Sequence, residues 1–202
     1  HVLAHPDGQH FVVGTDKHFY VYQIVDGRLV EVSKNPQPHG IPCFWIHPRG
    51  DHLIATQCQP VTALEPGKSA QINEPVTVQW YAIEENRIRH LSQVKVKAGL
   101  PTALLTTSMI LRVSPDGTKA LICQRSATSG RDFCDVLIAD LTLDPPVIND
   151  VVSQVADGVE SFAFHPNGKL AVATGLGIDH NCIAALDIAE YGYLLENGRI
   201  LM

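Results

Sequence analysis

Apolar residues recur along this chain at alternate positions in runs of strand length, broken by tight clusters of proline and glycine. The segment FAFHPNGKLAVAT (162–174) shows the unit: an alternating run, a Pro-Asn-Gly turn and a second run. Close relatives stand at LAHPDGQHFVVGT (3–15), FWIHPRGDHLIAT (44–56) and LRVSPDGTKALIC (111–123), so the unit occurs four times. Alternation with a period of two is the pattern of a half-buried strand, and Pro-x-Gly between two such runs predicts a tight reversal. Proline fixes φ early in the turn, and Gly8, Gly50, Gly117 and Gly168 can take the left-handed conformation that closes it. These triplets are therefore read as structural. His5, His47 and His165, which precede them, are read as half-buried fillers at strand ends rather than as metal ligands.

Each hairpin is followed by a third run rich in β-branched, aromatic or aliphatic residues, at 18–24, 76–83, 134–141 and 182–188. A fourth follows at 27–32, 86–91, 146–151 and 198–202, and three of these open on Gly-Arg-Leu, Asn-Arg-Ile or Gly-Arg-Ile. Helical spacing is scarce; only LDIAEYGYLLENG (186–198) has room for a short turn of helix. The chain is predicted to be all-β, a β-propeller segment of four consecutive four-stranded antiparallel blades, at about 1–35, 36–95, 96–155 and 156–202. Strands are labelled A to D from the axis outwards. Such a segment, running from a strand A to a strand D, is expected to be an arc of a larger ring; an isolated arc would expose apolar sheet at each end, so closure is expected from four-fold packing, missing blades or a partner protein.

Variation between repeats is concentrated in one kind of connection. The spacing from turn glycine to the end of strand C grows from Gly8–Ile24 to Gly168–Ile188, Gly117–Leu141 and Gly50–Ile83, and the excess falls between strands B and C. Because strands alternate in direction, B–C loops and D–A crossovers emerge on one face, where propellers usually bind. That face is expected to carry Asp16, Lys17 and His18 from blade 1, the loops 57–75, 124–133 and 175–181, and His39 and Glu160 from crossovers. Arg125, Arg131, Asp132, Asp179 and His180 are its foremost polar candidates: arginines to hold a carboxylate or phosphate on a small anionic ligand, and His or Asp to act as a base if they converge.

Composition narrows the partners. The 202 residues are 45% hydrophobic and 18% charged, as in an ordinary folded soluble chain, and the formal charge of −6 with no Lys/Arg run argues against nucleic acid. The longest uncharged apolar stretch, 98–111, is too short for a membrane span and contains Pro101. Five cysteines lack any Cys-x-x-Cys spacing, but Cys43 with Cys58 and Cys123 with Cys134 flank connections in a way that opposed strands could bridge. Such pairs would suit a periplasmic or secreted setting, with small apolar fillers in a cytoplasmic protein as the alternative. The start at His1, inside an apolar run, leaves room for an upstream signal segment. No Walker A, G-x-S-x-G, H-E-x-x-H or haem-attachment motif occurs, GLGIDH (175–180) lacks the third glycine of a dinucleotide fingerprint, and no metal or other cofactor is expected. Trp45 and Trp80 are read as packing anchors.

The stretches YVYQIVDGRLVEVSKNPQPHGIPCFWIHPRGDHLIAT (20–56) and GVESFAFHPNGKLAVAT (158–174) resemble the lactonase and YVTN-type, WD40-like superfamily of seven-bladed β-propellers. The resemblance covers nearly the whole chain, although blade 3 lacks the Gly-Arg start in PPVINDV and only blade 2 keeps a Gly-x-Pro approach, at HGIP. It implies a seven-bladed ring and, by analogy, a lactonase-like or cyclase-like enzyme acting on a sugar lactone or carboxylated ring. The residues themselves, which hold no recognisable nucleophile, favour a non-catalytic module binding a protein partner or small ligand on the long-loop face. A redox subunit whose cofactor sits on a partner chain is the remaining alternative.

Overall fold

The computed structural model describes residues 1–15, 17–36, 43–57, 76–96, 108–125, 133–157, 159–175, 182–187, 192–196 and 199–201. Blade 1 contains β1 (Val2–Ala4), β2 (His10–Gly14), β3 (His18–Val25) and β4 (Arg28–Pro36); blade 2 contains β5 (Cys43–Ile46), β6 (His52–Gln57), β7 (Val76–Glu84) and β8 (Arg87–Val96). Blade 3 contains β9 (Ser108–Val113), β10 (Lys119–Arg125), β11 (Phe133–Asp140) and β12 (Val147–Asp157). Blade 4 contains β13 (Val159–Phe164), β14 (Leu170–Gly175), β15 (Cys182–Asp187), β16 (Gly192–Glu196) and β17 (Arg199–Leu201). Every sheet is an antiparallel meander in chain order. No helix occurs among the described residues.

Blade 4 departs from expectation. Its fourth strand is β16, within the segment read as a possible helical turn, and the Arg-Ile of 199–200 lies in a fifth strand paired back onto it. Tyr193, Leu194 and Leu195 pair with Ala185, Ala184 and Ile183, so the ladder offered by β15 took residues whose local spacing was ambiguous.

Alternation along each strand sends side chains to both neighbouring blades. Leu53 and Ala55 join Val12, Phe19, Val21, Phe44 and Tyr81 between blades 1 and 2, while Ile54, between them in sequence, joins Leu111, Ile122 and Leu137 between blades 2 and 3. Blade 3 repeats the device: Ala120 and Ile122 face blade 2, whereas Leu121 and Cys123 face Phe162, Ala171 and Ala173 of blade 4. Phe19 meets Phe44 and Tyr81 edge-on, with centroids 5.3 and 5.4 Å away, a favoured aromatic geometry. Trp80 is buried and stacks on His52 at 4.9 Å, and Trp45 packs into the junction of blades 2 and 3, so both tryptophans are packing anchors. The outer face of blade 1 has no such cover: Val2 and Ile24 are 57% and 43% exposed, and Tyr20 and Tyr22 stack on one another there.

The A–B turns fold as their residues dictate. The glycine N–H donates to the carbonyl three residues earlier at 2.8–3.0 Å in all four, and Gly8, Gly50, Gly117 and Gly168 have φ of 72°, 80°, 75° and 72°. Two of the three histidines that precede these prolines do more than fill space. His5 Nε2 donates to the carbonyl of Gly50 at 2.8 Å, and His47 Nε2 donates to that of Gly117 at 2.9 Å. Blade 1 thus latches onto the turn of blade 2, and blade 2 onto that of blade 3. Asp116 takes the corresponding position over Gly168, where a Cβ would lie 2.8 Å from its carboxylate. At the ends the pattern is unmatched: Gly8 is exposed, with nothing within 4 Å of a Cβ built on it, and His165 is exposed.

The proposed cysteine pairs do not form. Cys43 is a free thiol opposite Thr56, and Cys58 lies outside the described residues. Cys123 is a buried thiol opposite Val136, so the register displaces it by two residues from Cys134. The support those pairs lent to an oxidising compartment falls with them.

Two outcomes test the latch. Gly117→Ala puts a Cβ 2.3 Å from His47 Nε2 at a φ of 75°, whereas Gly8→Ala meets only the backbone penalty. Urea denaturation should show a loss of about 1–2 kcal/mol for Gly8→Ala and at least about 1 kcal/mol more for Gly117→Ala. In His47, burial acts first, with help from Arg49, to lower the pKa below its ordinary 6.5 despite the bond to Gly117. A folded pKa below the unfolded one means that stability is fully present above 6.5 and declines as pH falls through the folded value. His47→Gln should flatten the denaturation midpoint measured between pH 7 and pH 5, beside a steeper wild-type decline.

Candidate functional site

Because the latch joins A–B turn to A–B turn, all four of those turns occupy one rim, and the starts of strands A with the ends of strands B occupy the other. Register places Val2 opposite Val13, Cys43 opposite Thr56, Ser108 opposite Arg125 and Val159 opposite Gly175 at that second rim. The long B–C connections therefore leave from one rim, as expected; the connections 58–75, 126–132 and 176–181 themselves lie outside the described residues.

Blade 1 shows this rim without an insertion. Thr15 N–H and Thr15 Oγ1 donate to the His18 carbonyl at 2.9 and 3.0 Å, and His18 N–H donates back to Thr15 Oγ1 at 3.1 Å. The His18 ring lies 5.7 Å from Tyr20, on the uncovered flank, while the exposed Lys17 stands at the tip of the turn. Close packing between blades at this rim depends on Gly14: a Cβ there would meet the Phe44 ring at 2.6 Å.

Of the other candidates, Arg125 ends β10 and Glu160 falls at an irregularity between Val159 and Ser161 in β13. The backbone thus brings Arg125 and Glu160 to the same rim of adjacent blades, with His18 on blade 1. Asp16, His39, Arg131, Asp132, Asp179 and His180 lie outside the described residues.

One polar group on the inner strands was not singled out in the sequence. Arg112 in β9 sits 4.7 Å over the Trp45 ring and donates to its own neighbour's carbonyl, Leu111 O, at 2.8 Å. A cation over an indole face is attracted by the ring quadrupole, and the arrangement orients the guanidinium. Its sequence signal was slight: a single charged residue in the apolar strand SMILRV (108–113). Close by, burial raises the Cys43 thiol above its ordinary 9.0, more than the Leu111 backbone and the Arg112 charge lower it. Cys43 is therefore a thiol rather than a thiolate at neutral pH and is no ready nucleophile. Tyr81 is likewise held protonated, its pKa pushed by burial up to about 12, and donates to Gln79 Oε1 inside the core. The described side chains supply an oriented cation and hydrogen-bonding groups, without an activated nucleophile among them.

No protein-family model matches the chain, and no curated protein matches it. Solved structures do. The periplasmic gluconolactonase PpgL of Pseudomonas aeruginosa aligns over 100% of this chain and 52% of its own, at 16% identity and a TM-score of 0.60. A putative 6-phosphogluconolactonase from Bacteroides uniformis aligns over 99% and 52%, at 13% identity and a TM-score of 0.58. The β-propeller domain of Cps50 (Swd1) from Myceliophthora thermophila aligns over 87% and 49%, at 11% identity and a TM-score of 0.54. The chain spans about half the length of each of these structures. In fold it is a four-blade β-propeller segment.

Proposed function

We propose that this chain is a non-catalytic propeller module that binds a protein partner or a small ligand, the latter anionic, on its long-loop rim. The observation that carries the reading is the division of labour between rims. Latches hold the A–B turns together on one side, while every B–C connection longer than the four-residue Thr15–His18 turn leaves from the other. An interlocked rim is a rigid base, and a rim free of interlocks tolerates insertions that create a binding surface. Arg125 at the end of β10 supplies a charge for a carboxylate or phosphate, and blade 1 keeps the minimal turn.

The same proposal completes the ring. Exposed Gly8 at one end and exposed His165 at the other are the two halves of the latch that joins the inner blades. Further blades, from the same protein or a partner, fit those ends and cover the apolar flank of Val2, Tyr20, Tyr22 and Ile24. The neighbours, twice as long, are consistent with such completion.

A lactonase-like enzyme is the second reading, favoured by the gluconolactonases among the fold neighbours. One experiment separates the two. The protein is mixed with glucono-δ-lactone, gluconate and 6-phosphogluconate, while binding is followed calorimetrically and lactone hydrolysis by acid release. Saturable binding without hydrolysis above the buffer rate, weakened at least tenfold in Arg125→Ala, is the expected result for a small-ligand module. Hydrolysis above that rate replaces it with the enzyme. Absence of both removes the sugar-acid form of the proposal.

A further inference from the structure

On the opposite rim, the first A–B turn gathers its ionisable groups more tightly than the blade 2 turn, where Asp51 Oδ1 lies 2.9 Å from His52 Nδ1 and 3.6 Å from His47 Nδ1. His5, Asp7 and His10 each offer one ligand atom, and these atoms all lie within 4.8 Å of one another. The hairpin builds the cluster: His5 N–H donates to the His10 carbonyl at 2.8 Å, so the two histidines face one another across the base of the turn and Asp7 stands at its tip. Asp7 Oδ1 accepts the N–H groups of Gln9 and His10 at 2.8 and 3.0 Å, which fixes the carboxylate. Oδ2 is then aimed at both rings, 2.6 Å from His10 Nδ1 and 3.0 Å from His5 Nδ1.

The latch decides the protonation of one ring. A carbonyl only accepts, so the 2.8 Å contact from His5 Nε2 to the Gly50 carbonyl places a proton on Nε2 and leaves Nδ1 as the ring's ligand atom. That nitrogen lies 3.0 Å from a carboxylate oxygen of Asp7 and 3.3 Å from the Asp7 backbone nitrogen. A metal-bound imidazole commonly donates its other N–H to a backbone carbonyl, which fixes tautomer and orientation; His5 already does so. The rings are 16% exposed and the Asp7 side chain 39%, so an ion enters from the Asp7 side.

The fold does not need this trio. Blade 2 keeps His47 and His52 but has Arg49 in place of Asp7, and the Arg49 guanidinium already sits 3.1 Å from Asp51. Blade 3 has Ser114 and Lys119, and blade 4 has Asn167 and Leu170, yet all these turns close in the same way. We propose that His5, Asp7 and His10 form a binding site for a divalent transition-metal ion, zinc foremost, held by two imidazole nitrogens and one carboxylate oxygen, with water completing the shell. Imidazole donors select zinc and its neighbours over magnesium or calcium; with tetrahedral zinc bonds of about 2.0–2.2 Å the ligand atoms stand roughly 3.3 Å apart, so Asp7 Oδ2 backs away slightly from the two Nδ1 atoms that now lie 2.6 and 3.0 Å from it. The sequence reading set His5 aside as a filler; the position of its ring nitrogens, fixed by blade 2, is what assigns it here. A bound ion would tie β1 to β2 and brace the latch to Gly50.

The test uses the chelator-treated protein and the metal alone. Calorimetric titration with Zn2+ should show one saturable site per chain, and Co2+ should give visible bands of nitrogen–oxygen coordination without the intense thiolate charge-transfer band. Asp7→Asn and His10→Gln should each weaken Zn2+ binding at least tenfold, while His52→Gln in the blade 2 turn should leave it unchanged. The imidazole resonances of His5 and His10 in the unmodified protein should shift with one equivalent of Zn2+, a readout independent of how the variants fold. No saturable site, a thiolate spectrum, or shifts confined to other histidines overturns the proposal.

Discussion

Sheet packed face to face on sheet is the constraint on which everything else in this structure depends. A single four-stranded meander has two faces and no interior, so it can dry its apolar side chains only between neighbours. The chain meets that requirement by letting one strand serve two junctions: Leu53 and Ala55 turn to blade 1 while Ile54 turns to blade 3, and Leu121 and Cys123 turn to blade 4 while Ala120 and Ile122 turn to blade 2. The same geometry leaves one face of blade 1 without a packed neighbour among the described residues, where Val2 and Ile24 are exposed beside the stacked Tyr20 and Tyr22.

Apolar packing is tolerant of sliding, and the turn latches are what make the spacing definite. A histidine donating across a junction to a glycine carbonyl satisfies two polar groups at once, and it allows the close approach only because no Cβ is there; at Gly117 an added Cβ would lie 2.3 Å from the His47 ring. The glycine is therefore required twice, once for its left-handed φ and once for the neighbour's ring. A rim interlocked in this way is poor ground for insertions, which explains why the variable connections belong to the other.

The two rims thus carry different chemistry. The B–C rim offers places for loop-borne groups, with Arg125 at the end of β10. The A–B rim offers the compact His5, Asp7 and His10 cluster, whose donors are organised by a hairpin and by the neighbouring blade together. A metal there would act on the stability of the first junction, whereas a ligand on the opposite rim would meet groups from several blades.

Much of the fold was legible because it is local. The period-two alternation, the Pro-x-Gly triplets and the strands 18–25, 76–84 and 133–140 answer to side-chain spacing and turn sterics that neighbouring residues settle among themselves. Where local preference was weak, at 192–196, the ladder of β15 decided, and a possible helical turn became a strand. The cysteine pairing failed for a similar reason: distance from a turn is visible in sequence, but register is not, and a two-residue offset separates Cys123 from the residue facing Cys134. Lone histidines before prolines said nothing of the carbonyls they reach, because Gly50 and Gly117 come from the next blade. By itself, then, the sequence determined the strands, the tight turns and the repeat. Only tertiary packing decided which ring nitrogen bears a proton and which polar groups meet, since those depend on contacts between residues 45 and 70 positions apart.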